Sequence, residues 1–244
     1  MKKIAIALTL AITTLGFSQE KVKLRLNYKK GDRYETKMKM NQDMGVMVMD
    51  MDLTITMKVN EVKEEGYDTE NNFTYVSSVI NQQGVEKVNY NSNMKEEELS
   101  AEAKEFREKT KSLLETTMFI TVSKIGESKL VKTEPVVASM DQVSNQMNTT
   151  VYPKEAVSVG SSWTSTQDSQ GMKMNLTYTV KEITKEKVLA TINGKMDILP
   201  DAKIIGDIEI DRATGVPVRT SININVSSMG MNLKNKTEAT VRKL

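Results

Sequence analysis

The chain of 244 residues has no cysteine and no histidine. The first absence excludes disulfides, thiolate metal sites and a cysteine nucleophile. The second removes the commonest general base and the commonest metal ligand. Aromatic residues are few, with 1 Trp and 4 Phe, and Lys and Arg number 34 against 32 Asp and Glu. With no block of basic residues, nucleic acid and anionic membrane surfaces find no electrostatic footprint to meet. The one extended apolar run, residues 4–15, falls short of the ~18 residues that a membrane-spanning helix needs.

That run reads instead as part of a secretory signal peptide. In "MKKIAIALTLAITTLGFS" it follows Lys2 and Lys3 and precedes the small residues Gly16 and Ser18, so cleavage is expected near Ser18 and the product is exported to the periplasm or beyond. No Cys follows the run, which closes the acylated-cysteine route of bacterial lipoproteins. Removing residues 1–18 takes two lysines with it and leaves 32 basic against 32 acidic residues. The remaining 19–244 is long enough to bury about 70 per cent of its unfolded surface in an ordinary core. A single β-rich domain fits that length.

What the chain does contain is a period of two. From Met47 the odd positions read Met47, Met49, Met51, Leu53, Ile55, Met57 and Val59, and the even ones are Asp, Thr, Lys and Asn from Asp50 onwards. One apolar and one wet face mark a half-buried antiparallel strand. Tyr34, Met38 and Met40 alternate in the same way just before it, so Gly45 is expected at the turn of a long hairpin. The same rule predicts strands at 22–28, 67–79, 119–124, 130–133, 172–180, 188–199, 204–210, 216–226 and 231–241, with turns at Gly66, Gly126, Gly194, "DRATG" (211–215) and "SSMG" (227–230). Two helices interrupt the pattern. One lies in 95–118, with Leu99, Ala103, Phe106, Leu113 and Leu114 on one side; the other runs from Pro135 to Met147. The expected fold is mainly β (α+β): a large curved antiparallel sheet or half-barrel with two inserted helices.

The chain also echoes itself. Shifted by 121 residues, Met51, Leu53, Ile55, Met57, Val59, Glu61 and Val62 fall on Met172, Met174, Leu176, Tyr178, Val180, Glu182 and Ile183. "GDRY" at 31–34 resembles "GSSW" at 160–163, which suggests half-repeats 19–92 and 150–244 around a helical insert at 95–147.

"YPKEAVSVGSSW" (152–163), "LNYKKGDRY" (26–34) and "GDIEIDRATGVP" (206–217) resemble the landmarks of a family of secreted Bacteroidetes proteins of unknown function. That resemblance implies no activity. The order of elements resembles periplasmic lipoprotein carriers of the LolA and LppX type, in which a curved half-barrel shelters an acyl chain; this implies a fold, not a function.

No catalytic signature is present: Gly-x-Ser-x-Gly, the phosphate-binding loop and the dinucleotide fingerprint are all missing, and "SNMK" at 92–95 lacks the partner motifs of acyl-transferring serine enzymes. No cofactor is implied. Asp50 and Asp52 lie on a wet strand face without the loop geometry of a calcium site. The methionines carry three readings: adaptable filling of a dry core, the lining of a lipophilic groove, or a soft ladder for Cu(I) or Ag(I). The leading expectation is a non-catalytic carrier for an apolar ligand, a lipid or an acylated protein, held by Met38, Met40, Met47, Met49, Met51, Met57, Met172, Met174 and Tyr178. The alternative is a structural or protein-interaction domain with that face as its core.

Overall fold

The computed structural model describes residues 20–137, 150–169, 172–199, 201–228 and 231–244, with backbone only at 167–169, 172, 228 and 231. The expected signal peptide lies outside the described residues. So does the second expected helix from 138 onwards; its start, 135–137, is irregular.

Twelve strands form one antiparallel sheet: β1 Arg33–Asp43, β2 Met47–Val62, β3 Gly66–Gln82, β4 Val85–Asn91, β5 Thr117–Ser123, β6 Ser128–Glu134, β7 Ser162–Ser169, β8 Met172–Ile183, β9 Lys187–Met196, β10 Lys203–Asp211, β11 Pro217–Ser228 and β12 Met231–Lys243. Their order across the sheet is β6-β5-β3-β2-β1-β12-β11-β10-β9-β8-β7, with β4 on the upper part of β3, so the sheet is open at β6 and β7. The first and last strands pair at its centre, Tyr34 opposite Lys243 through Asp43 opposite Lys234.

The single α-helix among the described residues, α1 Ala101–Glu115, lies between β4 and β5. Ser100 caps it by accepting from the Ala103 N–H at 3.1 Å. Ala103, Phe106, Leu113 and Leu114 cluster with Val76, Tyr90 and Leu53 of the sheet. The stretch after α1 is not helical: it forms the β5–β6 hairpin, which extends the sheet from β3.

Residues 22–28 alternate as a strand would, with Val22, Leu24, Leu26 and Tyr28 all buried. They join no ladder, however, and make only the isolated bridge Val22–Val157. Their backbone groups are spent on separate parts of the sheet instead. The Leu26 N–H donates to the Lys124 carbonyl at 2.9 Å, in the β5–β6 turn, and the Asn27 N–H to the Thr214 carbonyl at 2.8 Å, in the β10–β11 turn. β5 and β10 are six ladders apart, ~29 Å in a flat sheet at ~4.8 Å per strand. Consecutive residues of one segment reach both, so the sheet is curled and the segment straps its lower end. The Tyr67 hydroxyl donates to the Leu26 carbonyl and the Tyr152 hydroxyl to the Gly215 carbonyl, both at 2.7 Å, closing that end further.

The two long hairpins share their geometry. The Gly31 N–H donates to Val59 and the Val59 N–H to Asp32; Gly160 to Val180 and Val180 to Ser161 repeat this with nearly the same distances, 2.8–2.9 Å. Both glycines have left-handed φ, 86° and 85°. Bulges fall at Val59/Glu61 in one hairpin and Val180/Glu182 in the other. Gly66 and Gly194 are not turn residues: the first opens β3, and the second is inside β9, where a Cβ would press on the Leu176 side chain.

Gly215 completes the "DRATG" turn at φ 67°, and a Cβ there would overlap the Arg25 carbonyl of the strap. Gly45 has φ 79° with open space around it. Gly215→Ala is therefore expected to cost clearly more than Gly45→Ala, about 2–4 kcal/mol against about 1. Denaturant unfolding of the two variants measures this; equal losses would contradict the strap contact.

Candidate functional site

Even residues of β1 and odd residues of β2 face the inside of the curl. The register sets Tyr34 opposite Met57, Thr36 opposite Ile55, Met38 opposite Leu53, Met40 opposite Met51 and Gln42 opposite Met49. β12 continues each level, with Val241, Ala239 and Thr237 opposite Thr36, Met38 and Met40. Toward the strapped end this face encloses a cavity of about 270 Å³. Its walls come from distant strands: Tyr34, Thr36 and Met38 of β1, Ile55 and Met57 of β2, Ile120 and Val122 of β5, Thr220 and Ile222 of β11, Val241 of β12, and Tyr178 of β8, with Tyr28 from the strap. Among the described residues no charged one lines it. The polar groups present are hydroxyls and the Asn71 amide, able to hydrogen-bond a polar end but not to neutralise an ion.

Of the residues expected from the sequence, Met38, Met57 and Tyr178 line this cavity. Met40, Met47, Met49 and Met51 lie further up the same face and are half-buried. Met57 and Met174 pack against the buried core, whereas Met38, Met40, Met47, Met49 and Met51 stand apart from it. Met174 pairs with Met196 on β9, and Met172 holds the first position of β8. Across β1–β2 only one pair of thioethers is directly opposed, Met40 and Met51.

Sequence reasoning found Tyr178 but missed the rest of the tyrosine floor. Tyr28 stands 5.2 Å from Tyr34 and 5.0 Å edge-on from Tyr67, ring centre to ring centre, while Tyr178 stacks on Trp163 at 5.0 Å. Burial, then the neighbouring Tyr34, Tyr67 and Asp32, hold the Tyr28 phenol far above its ordinary value. Burial and the Asp32 carboxylate push Tyr34 up to about 12. Burial likewise raises Tyr67, Tyr152 and Tyr178. All five are neutral at physiological pH. Burial acts to raise the Asp32 carboxyl, but hydrogen bonds from Lys243 and from the Lys29 N–H outweigh it, and it is lowered overall. A signal was available: Tyr34, Trp163 and Tyr178 all sit at repeat positions that the shift of the sequence picks out.

Ser78, opposite Met51 on β3, is 1% exposed, and among the described residues its hydroxyl has no hydrogen-bond partner. No group of three or more His, Cys, Asp or Glu among the described residues could hold a metal ion, and no described helix is long and apolar enough to cross a membrane.

A family model matches residues 138–237, that of a family of unknown function, DUF6263. This is less than half of the chain, and it spans both the 152–163 and the 206–217 landmarks. A comparison with curated protein sequences gives no match. Among solved structures, the chain is similar to one described as lipid–protein interactions in lipovitellin, with a TM-score of 0.57 at 8% identity over 89% of this chain and 25% of the other. The chain thus spans about a quarter of the lipovitellin chain, and the likeness is one of fold. Neither comparison points to catalysis.

The buried phenols set an alkaline limit. An unfolded Tyr titrates near 10.0, and the folded values lie higher, so their contribution to stability is complete below about pH 10 and is lost as pH rises toward about 12. Phenolate absorbance followed against pH is expected to show these five ionising only as the fold opens. Full ionisation near the ordinary value with the fold intact would contradict the floor. Ser78→Ala removes an unsatisfied hydroxyl and is expected to leave stability unchanged or raise it by up to about 1 kcal/mol in denaturant melts.

Proposed function

We propose that the chain is an exported cell-envelope protein that carries the hydrocarbon part of a lipid or an acylated protein on its concave face. The observation that supports this best is the continuity, among the described residues, of a cavity without charged lining and half-buried methionines outside the buried core cluster. A dry core would bury them, because thioethers left at a surface forgo their transfer free energy, ~25 cal/mol per Å² of apolar area. An acyl chain that outgrows the cavity would continue past Met38 toward Met40 and Met51. Met suits such a wall because its unbranched thioether adapts to different chain lengths and kinks. The neutral hydroxyls favour an ester, hydroxyl or amide end over a free carboxylate inside the cavity, since a buried charge needs a partner. Export is supported by the signal-like start of the sequence, and the fold's likeness to a lipovitellin structure fits a lipid ligand. The matched turns at Gly31 and Gly160 support reading the two hairpins as copies of one unit.

Native mass spectrometry of the protein isolated from its own host is expected to show bound lipid, and the delipidated protein should take up a fluorescent fatty-acid ester. Met38→Asp, which places a charge in the cavity, should weaken that uptake at least ten-fold. Thr240→Asp places the same charge on the outer face opposite Lys37 and Arg219 and should leave it unchanged. A bare mass together with no uptake would sink the carrier reading.

A further inference from the structure

We infer that the upper end of the β1–β2 hairpin is a binding site for one soft monovalent cation, Cu(I) or Ag(I), held by the thioethers of Met40, Met49 and Met51. The register carries this. Met40 is directly opposite Met51, and Met49 is two residues along the same face, opposite Gln42. Directly opposed side chains have Cβ atoms ~4.5–5.5 Å apart, and residues two apart on one strand ~6.6 Å. Two rotatable bonds place each sulfur and a third turns its methyl, which lets three sulfurs lean toward one point above the strands. Along a single strand the same thioethers could not meet; the facing strand makes the site.

The surroundings select the ion. On this face the neighbours of the three methionines are Gln42, Ser78, Ile80 and Thr237, all neutral. The carboxylates of the hairpin are on the other side, where Asp50 accepts a hydrogen bond from the Asn41 side chain at 2.7 Å. A donor set of uncharged sulfur suits Cu(I) and Ag(I) and not the harder divalent ions. It also suits a single positive charge, because the cost of desolvating an ion without a compensating carboxylate rises steeply with its charge.

The hairpin end is held in place. The Met44 N–H donates to the Met47 carbonyl at 2.8 Å, the Gly45 N–H to the Asp43 carboxylate at 2.8 Å, and the Gln83 N–H to the Val46 carbonyl at 2.9 Å. The three sulfur-bearing residues are half-buried, so an ion can reach them without unfolding the sheet. The chain has neither Cys nor His to compete as a ligand. The inference shares Met40 and Met51 with the upper part of the proposed apolar groove, but the cavity itself lies lower on the face and the cation needs only the three thioethers.

The test is anaerobic titration of the purified protein against the coloured Cu(I)–bicinchoninate complex. The protein is expected to withdraw one equivalent of Cu(I), with sulfur as the nearest scatterer in X-ray absorption. The combined Met40→Leu, Met49→Leu and Met51→Leu variant should lose at least ten-fold in affinity. Leu conserves volume and apolarity, so its fold, checked by circular dichroism, is expected to persist. Met57→Leu, lower on the same strand, should bind Cu(I) as the parent does. The idea is overturned if the parent leaves the chelator complex intact, or if the triple variant competes as well as the parent does.

Discussion

The strap formed by residues 22–28 is the constraint on which the cavity depends. An antiparallel sheet of this width twists but has no reason of its own to curl until its flanks meet. The N–H groups of Leu26 and Asn27, adjacent in sequence, donate to turns that belong to opposite flanks. Tyr67 anchors the strap from below by donating to the Leu26 carbonyl, and Gly215 lets the β10–β11 turn come against Arg25. The Leu26 and Asn27 contacts join backbone groups, which must find partners once buried. Geometry at the lower end is thereby fixed, and it transmits upward through rigid ladders to set the width of the concave face.

Much of this was legible from alternation alone. The period of two located ten of the twelve strands directly and the hairpin turn at Gly45, the repeat pointed to β7, and helical spacing located the helix that Ser100 caps. It failed where alternation and pairing part company. Residues 22–28 alternate as well as any strand because they bury one side against the core, yet burial on alternate sides does not require a neighbour in a ladder. β4 was missed for the opposite reason: "VEKVNYN" is mostly polar and exposed, and it is a strand only because the upper part of β3 offers unpaired groups. The pairing of β1 with β12 joins the two ends of the chain, and no local pattern encodes contacts of such separation. The candidate site suffered accordingly. Three of its predicted residues line the cavity, but the β11 and β12 walls and the tyrosine floor depend on that long-range closure.

The two long hairpins, alike in backbone, are filled differently near their matched turns. Tyr178 holds in the second hairpin the position that Met57 holds in the first and stacks on Trp163, while Leu176 stands where Ile55 does and lies against Gly194. Tyr178, Leu176 and Trp163 are buried, whereas Met57 is half-buried. One backbone arrangement thus carries a stacked aromatic pair in one hairpin and an adaptable thioether in the other.

An open apolar face is costly in water, and the usual defence is to break it with charge. Here the charges are confined to the outer face, where Lys39 stands opposite both Asp52 and Glu238 and Glu35 opposite Arg242. The inner face of β1 and β2 has only Thr36 and Gln42 to interrupt its apolar run up to the hairpin end. Methionine is the apolar residue for which that exposure costs least conformational strain, because it can lie flat along the strands when nothing covers it and stand up when something does. The preference for Met over Ile or Val at Met40, Met47, Met49 and Met51, in a strand where β-branched residues would raise intrinsic β-propensity, runs against local stability. A residue choice that weakens the strand yet recurs at four positions of one face is in keeping with the apolar ligand proposed for that face rather than with what the hairpin needs in order to fold.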